Sequence, residues 1–251
     1  MIVEYYRPKN LTEALALVDD PKTKTVFMGG GSAIDRYNTE PFAVVDLQDL
    51  GLNTLRTKGG TLEIGATASL QALYEQSQIQ TGLKNAIYRE ASLNLRQVAS
   101  VAGTLVASDG RSPFTTAMLA LDASITLIPG EERINIGDLL ALREKKLNSK
   151  LITKITIPIN VQLAYQYVAR TPADLPIVCA AVALWPSGRT RVILGGSGET
   201  PILAMDGPER GGEEISAANA YSQAGDQWAA AEYRQEMAQV LVKRCLSGLD
   251  T

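Results

Sequence analysis

Short apolar runs separated by turn residues organise the first third of the chain. Ile2-Val3-Glu4-Tyr5-Tyr6 reads as a strand closed by Arg7-Pro8. Asn10 then offers an N-cap to a helix whose apolar positions Leu11, Ala14, Leu15 and Val18 recur at helical spacing, and Asp20-Pro21 ends it. Thr25-Val26-Phe27-Met28 has the β-branched, aromatic texture of a buried strand, and the run from Phe42 to Leu47 has it again. The first ~50 residues therefore predict a compact α/β lobe. Between the two strands lies Gly29-Gly30-Gly31-Ser32, after which Ala33-Ile34-Asp35-Arg36-Tyr37 can start a short helix.

Leu62 to Thr67 alternates as a further strand and runs into a helix for which Ser69 is the N-cap. From Asn94 to Ala123 the pattern predicts a glycine-centred, hydroxyl-rich loop at Ser100 to Ser112, followed by an apolar helix from Phe114 to Leu121 with Pro113 in its first turn. Ser124 to Ile128 and Leu151 to Ile157 read as strands, the second closed by Pro158, and Glu144-Lys145-Lys146 reads as a solvated face. The texture then changes. Leu163 to Arg170, Ile177 to Trp185 and Thr190 to Gly195 look like three strands, the last two joined as a hairpin at Pro186-Ser187-Gly188. Residues 204–225, rich in Gly, Glu, Ala and Ser, are expected to be exposed. The chain closes with a helix over Trp228 to Leu246, in which Met237, Leu241 and Cys245 repeat at i, i+4, i+8 as a core stripe.

The glycines carry the candidate chemistry. Three in a row at a strand-to-helix turn release the backbone into φ > 0 and remove every Cβ from one side. Successive N–H groups can then face one concavity, which is either an anion nest or a plain tight turn. No Gly-Lys-Ser/Thr follows, so this is not a P-loop, and Pro41 ends the segment too early for a dinucleotide fingerprint. Gly65-Ala66-Thr67 at a strand end marks either a close ligand approach or a bulge. Ser100-Val101-Ala102-Gly103-Thr104 offers small side chains and N–H groups to a flat or phosphorylated ligand, or is only a loop.

Composition narrows the classes. The chain of 251 residues has 24 basic and 27 acidic side chains, a net charge of −3, which points to neither nucleic acid nor anionic membrane as a partner. It has no histidine, which excludes Ser-His-Asp and Cys-His machinery and most zinc sites. Cys179 and Cys245 stand far apart, so the chain cannot ligate an iron–sulfur cluster by itself, and two unclustered thiols fit a reducing cytoplasm. The opening Met-Ile-Val-Glu-Tyr-Tyr-Arg-Pro lacks the pattern of a signal peptide, and the apolar run from Ile177 to Trp185 is too short to span a bilayer.

Together these stretches resemble the FAD-binding (medium) subunit of the molybdenum hydroxylases, the xanthine dehydrogenase and carbon monoxide dehydrogenase family. Tyr5 to Leu17 is similar to its opening, an aromatic–Arg–Pro before a Leu-x-Glu-Ala-Leu helix. Met28-Gly29-Gly30-Gly31-Ser32 resembles its first FAD-pyrophosphate loop, and Ile64-Gly65-Ala66-Thr67 its Ile-Gly-Ala strand end. Arg96 to Thr104 resembles its second FAD loop, and Ala120-Leu121-Asp122-Ala123 the Ala-Leu-Asp-Ala that follows. Gly195-Gly196-Ser197-Gly198 with Pro201, and Glu232-Tyr233-Arg234, are similar to motifs of its C-terminal domain. The chain departs from the pattern at Ala102-Gly103-Thr104, where the family has Gly-Gly-Asn, at Arg111-Ser112-Pro113, where many members place an Asp, and at Leu175, where an aromatic often follows the Asp.

The resemblance implies an α+β chain: a two-lobed FAD-binding domain of the molybdopterin-dehydrogenase type over residues 1–158 (lobes about 1–56 and 57–158), then a C-terminal domain over 159–251 built from a small antiparallel sheet with helices. It implies FAD as cofactor, with Met28, Gly29, Gly30, Gly31, Ser32 and Ala33 at the pyrophosphate, Gly103 and Thr104 closing the second side, Ser100 and Ser108 as hydroxyl donors, and Thr67 near the flavin ring. No side chain is expected to act as catalyst or metal ligand. The implied partners are a large molybdenum-cofactor subunit and a small 2Fe-2S subunit, with electrons leaving the FAD for NAD or another acceptor. Two other readings stand beside this one. The altered second loop admits a cofactor-poor homologue that serves as a scaffold or docking subunit. A flavin reductase of the cell-wall-precursor type has a related fold but lacks the likeness over 159–251.

Overall fold

The computed structural model describes residues 1–19, 24–34 and 40–250. The expected helix end at Asp20-Pro21, and the helix expected to continue from Ala33 through Asp35-Arg36-Tyr37, fall wholly or partly outside these residues. The chain forms two compact units, each assembled from three segments. The first comprises Met1–Glu75, Leu93–Ala107 and Ser124–Thr156, and the second Gln76–Ser92, Ser108–Ala123 and Ile157–Thr251.

The first unit opens with β1 (Ile2–Tyr6), α1 (Leu11–Val18), β2 (Thr25–Met28) and β3 (Phe42–Asp46). These strands form a parallel sheet in the order β1-β3-β2. β3 is buried along its whole length, as an uninterrupted Phe-Ala-Val-Val run requires of a strand covered on both faces. Asn10 caps α1, its side-chain oxygen accepting the Glu13 N–H at 2.9 Å. Ala14 from that helix packs with Val45, Leu47 and Leu151 in a small core. Burial of each such larger side chain contributes about 1.5–3 kcal/mol before the entropy of ordering is set against it.

β4 (Leu55–Lys58), β5 (Thr61–Gly65) and α2 (Leu70–Tyr74) follow. The chain then leaves for the second unit as α3 (Thr81–Glu90) and returns as α4 (Leu93–Val98) and α5 (Val101–Ala107). It leaves again as α6 (Pro113–Ala120) and comes back with β6 (Ser124–Ile128), β7 (Glu132–Asn135), α7 (Ile136–Ala141), α8 (Arg143–Leu147) and β8 (Leu151–Pro158). A second sheet runs in the order β4-β5-β8-β6-β7. β4 and β7 carry polar residues on half or more of their positions, which is why no apolar pattern announced them.

The second unit holds an antiparallel sheet in the order β12-β11-β10-β9, from β9 (Gln162–Val168), β10 (Val178–Leu184), β11 (Thr190–Gly195) and β12 (Ile202–Gly207), with α9 (Glu213–Ala220) and α10 (Ala231–Leu249). Residues 204–225 are only in part the exposed segment that composition predicts: 208–212 are exposed, but the segment is not without structure. They supply most of the edge strand β12 and the whole of α9, and Ala217 and Tyr221 are fully buried at helical i, i+4 spacing. The large apolar residue of that helix, Ile215, is exposed and the others are polar or alanine, so its composition hides its buried stripe. Leu241 and Cys245 of α10 face the same core, with Met237 partly packed against it. Arg234, also on α10, is fully buried: it donates to the Ile177 carbonyl at 3.1 Å and to both Asp226 carboxylate oxygens at 2.9 Å. Burial alone would raise the Asp226 carboxyl, but these bonds hold it below the usual range.

Candidate functional site

The site lies in the first unit, at the end of β2. The parallel pairing closes with the Leu47 N–H donating to the Met28 carbonyl at 3.0 Å, and the chain then turns through the three glycines. They are glycine for different reasons. Only Gly31 has a left-handed backbone, with φ +73°. A Cβ on Gly30 would stand 1.6 Å from the Val98 carbonyl oxygen, and one on Gly29 would stand 2.3 Å from Ser100 Oγ. Of the two reasons expected for these glycines, φ > 0 holds at Gly31 alone, whereas the missing Cβ is what matters at Gly29 and Gly30, because the end of α4 and Ser100 run flush against them.

That segment is itself held by a zipper of backbone bonds. Leu70 N–H donates to the Ala99 carbonyl at 2.9 Å, Val101 N–H to Ala68 at 2.8 Å, and Ala102 N–H to Ala66 at 3.1 Å. Arg96, buried on α4, donates from Nε to the Gln71 side-chain oxygen at 3.0 Å and so ties α4 to α2. Gly65 answers the question left open for it. The atom that approaches its missing Cβ is the Leu52 carbonyl, 2.2 Å from where that Cβ would lie, so the closeness is to the protein's own backbone.

Ser100 to Ser112 is not a continuous loop, because Val101–Ala107 is the helix α5. The seven residues of α5 make about two helical turns, whose start Ser100 satisfies. Ser100 Oγ accepts the Gly103 N–H at 3.2 Å, and the Ser100 carbonyl accepts both the Thr104 N–H and the Thr104 hydroxyl at 2.9 Å. The Gly103 and Thr104 amides are therefore spent inside the protein, a correction to their expected role as donors to a ligand.

A cavity of about 430 Å³ opens between these pieces. Met28, Gly29, Gly30, Gly31, Ser32, Ala33, Thr67, Ser100 and Gly103 all line it. Thr104 and Ser108 are not among its lining residues, and the Ser108 hydroxyl, in the second unit, accepts from Thr115 at 2.8 Å. The sequence reading missed the apolar wall from Val106, Leu151 and Ile152, and it missed Lys150, the one charged residue among the described lining. Leu151 and Ile152 read as strand core, and a lone lysine ahead of a strand gives no signal.

What can such a cavity hold? No backbone hydrogen bond among the described residues is donated by Gly29, Gly30, Gly31 or Ser32. Thr67 Oγ1 is buried in the wall without a partner among the described residues, a state that costs about 1–3 kcal/mol unless a ligand relieves it. Amides and hydroxyls beside apolar walls suit a ligand with a phosphate part and a flat, apolar part. These residues fit FAD. Among the described residues no group of three or more His, Cys, Asp or Glu could hold a metal ion.

Residues 1–160 match the family described as the FAD binding domain in molybdopterin dehydrogenase, and the chain belongs to that family. Its cofactor is FAD, and its class is that of the FAD-binding subunits of molybdenum-hydroxylase-type oxidoreductases. The chain is 29% identical over 248 residues to the uncharacterized protein YgfM of Escherichia coli K12, covering 96% of this chain and 94% of that one. It is 28% identical to the carbon monoxide dehydrogenase medium chain of Afipia carboxidovorans, covering 97% and 95% of the two chains. It is 26% identical to the caffeine dehydrogenase subunit beta of a Pseudomonas species, covering 79% and 74%. Among solved structures, a chain of the Cu,Mo-CO dehydrogenase superposes with a TM-score of 0.82 at 24% identity, covering 98% and 97%. One of quinoline 2-oxidoreductase from Pseudomonas putida 86 superposes with a TM-score of 0.79 at 19% identity, covering 98% and 95%; both likenesses are of fold.

Proposed function

We propose that this chain is the electron-transfer flavoprotein subunit of a molybdenum-hydroxylase-type dehydrogenase. In that reading an iron–sulfur subunit, itself supplied by a molybdenum subunit that oxidises the substrate, delivers electrons to the FAD, and NAD or another acceptor takes them away. The single observation that carries the proposal is the cavity in which the glycine turn, Ser100 and the unpartnered Thr67 hydroxyl meet. The FAD, when bound, supplies the capacity to take up and release electrons; the protein supplies binding, orientation and exclusion of water. In the roles we assign, the amides of Gly29 to Ser32 hold the pyrophosphate, Ala33 follows them in the same turn, Thr67 bonds a polar edge of the cofactor, and Leu151 and Ile152 cover its apolar surface.

The departures at Thr104 and Ala102 motivated a docking subunit without cofactor. Thr104 lies outside the cavity lining, and Ala102 enters it only as a small wall residue whose amide is bonded to Ala66, so neither change empties the cradle. A large molybdenum-cofactor subunit and a small 2Fe-2S subunit are the proposed partners: two relatives are themselves named as a medium chain and a subunit beta. The proposed compartment is the cytoplasm, on the strength of two free, buried cysteines. Among the described residues no helix is long and apolar enough to cross a membrane.

The test is titration of the purified chain with FAD, followed by reduction trials. Stoichiometric uptake is expected, with no reduction of the bound flavin by carbon substrates unless the partner subunits are added. Failure to take up FAD would end the proposal. Reduction by a substrate without partners would overturn the assigned division of labour.

A further inference from the structure

The glycine turn can bond an anion but carries no charge, and FAD carries its negative charge on the diphosphate. Lys150, just ahead of β8, is the only charged residue among the described lining of the cavity. It is not idle in the protein: its Nζ is bonded to Glu132 Oε2, while Lys146 Nζ on α8 takes the other oxygen, Oε1, at 3.1 Å. Two lysines thus share one carboxylate, and the cluster keeps one net positive charge beside the cavity. The two lysines hold the Glu132 carboxyl below the ordinary carboxylate range, so the carboxylate stays ionised and keeps the cluster together. With 31% of its side chain exposed, Lys150 is screened by solvent less than a free surface lysine would be.

We propose that Lys150 is the counter-cation for the diphosphate of FAD, a cofactor-binding residue that Glu132 holds in reserve. On binding, Lys150 exchanges all or part of its bond to Glu132 for the cofactor's phosphate oxygens, and Lys146 remains to neutralise Glu132. This rests on the reading of the cavity as a FAD site. The consequence is asymmetric. Removing Lys150 takes away attraction for the anion, whereas removing the charge of Glu132 takes away its competitor. A Lys150–Glu132 pair that merely braced the start of β8 against β7 would respond alike to both changes.

The experiment measures FAD affinity of the full chain by quenching of flavin fluorescence, for wild type, Lys150→Gln, Lys150→Arg and Glu132→Gln, at low and at raised salt. Lys150→Gln is expected to weaken FAD by a factor on the order of ten, the loss of one charge-assisted bond. Lys150→Arg should stay within about threefold of wild type, because the charge is kept. Glu132→Gln should bind FAD as tightly as wild type or more tightly. Raised salt should weaken wild type more than Lys150→Gln. Wild-type affinity in Lys150→Gln would overturn the proposal while leaving the FAD site intact. So would an equal loss in Glu132→Gln, which would mark the pair as structural. A wild-type chain that binds no FAD would overturn the site itself and this inference with it.

Discussion

Each of the three glycines answers to a different neighbour, and substitution separates them. Gly30 faces a carbonyl oxygen of the backbone, which cannot swing away, so Gly30→Ala forces the turn and the segment after α4 apart. We expect a loss near 3 kcal/mol, at the upper end for overpacking, and loss of FAD uptake together with it. Among the described residues Gly31→Ala meets only the Met28 side chain, its sulfur 3.5 Å away, and suffers chiefly the left-handed backbone, about 1–2 kcal/mol. Thermal unfolding and FAD titration of the two variants side by side check the order; equal effects would refute it. Thr67 gives the opposite sign. Its hydroxyl is buried without a partner among the described residues, so Thr67→Val should leave the FAD-free protein as stable as wild type or more so, yet weaken FAD several-fold. A variant that loses stability and keeps its affinity would show that the hydroxyl serves the fold.

Among the elements, α5 is where chemistry and architecture trade places. Its first turn has the small, hydroxyl-bearing sequence of a ligand loop, but its hydroxyls bond back to the helix's own start. Thr104→Val should therefore cost about 1 kcal/mol of stability through the lost bond to the Ser100 carbonyl and leave FAD affinity unchanged. A tenfold change in affinity would return Thr104 to the site. The zipper between residues 66–70 and 99–102 ties the Ile64-Gly65-Ala66-Thr67 strand end to the second glycine segment: each supplies the other's backbone bonds.

For the whole molecule, the two thiols report on the integrity of the second unit. Burial pushes Cys179 up to about 11 and Cys245 up to about 12. Neither is then a thiolate at pH 8, and a thiol-specific disulfide reagent should find both unreactive in the native protein and both reactive after unfolding. The sign of the pH effect follows. A thiol whose folded pKa is raised contributes its stability below the unfolded value, near 9, and loses it as pH rises from there towards the folded values. Stability measured by urea unfolding should therefore fall from pH 9 upward, and mutation of both cysteines to alanine should flatten that slope.

The sequence by itself determined the elements with strong periodic or capping signals: β1, α1 under Asn10, β2, the buried β3, the hairpin of β10 and β11, and the core stripe of α10. Local chemistry suffices there, because a β-branched run, an N-cap or an i, i+4 stripe restricts the backbone or its buried face before any distant contact forms. It also placed the glycine turn and, through family resemblance, named the cofactor. What only the tertiary structure decided are the properties that depend on partners distant in the chain. Gly30 owes its identity to Val98, and Gly65 to Leu52. The alanine-rich α9 is buried because two positions find a core. Lys150 lines the same cavity as a glycine turn more than a hundred residues earlier. Those are long-range packing outcomes, and no local pattern encodes which backbone atom will come to occupy the space a glycine leaves.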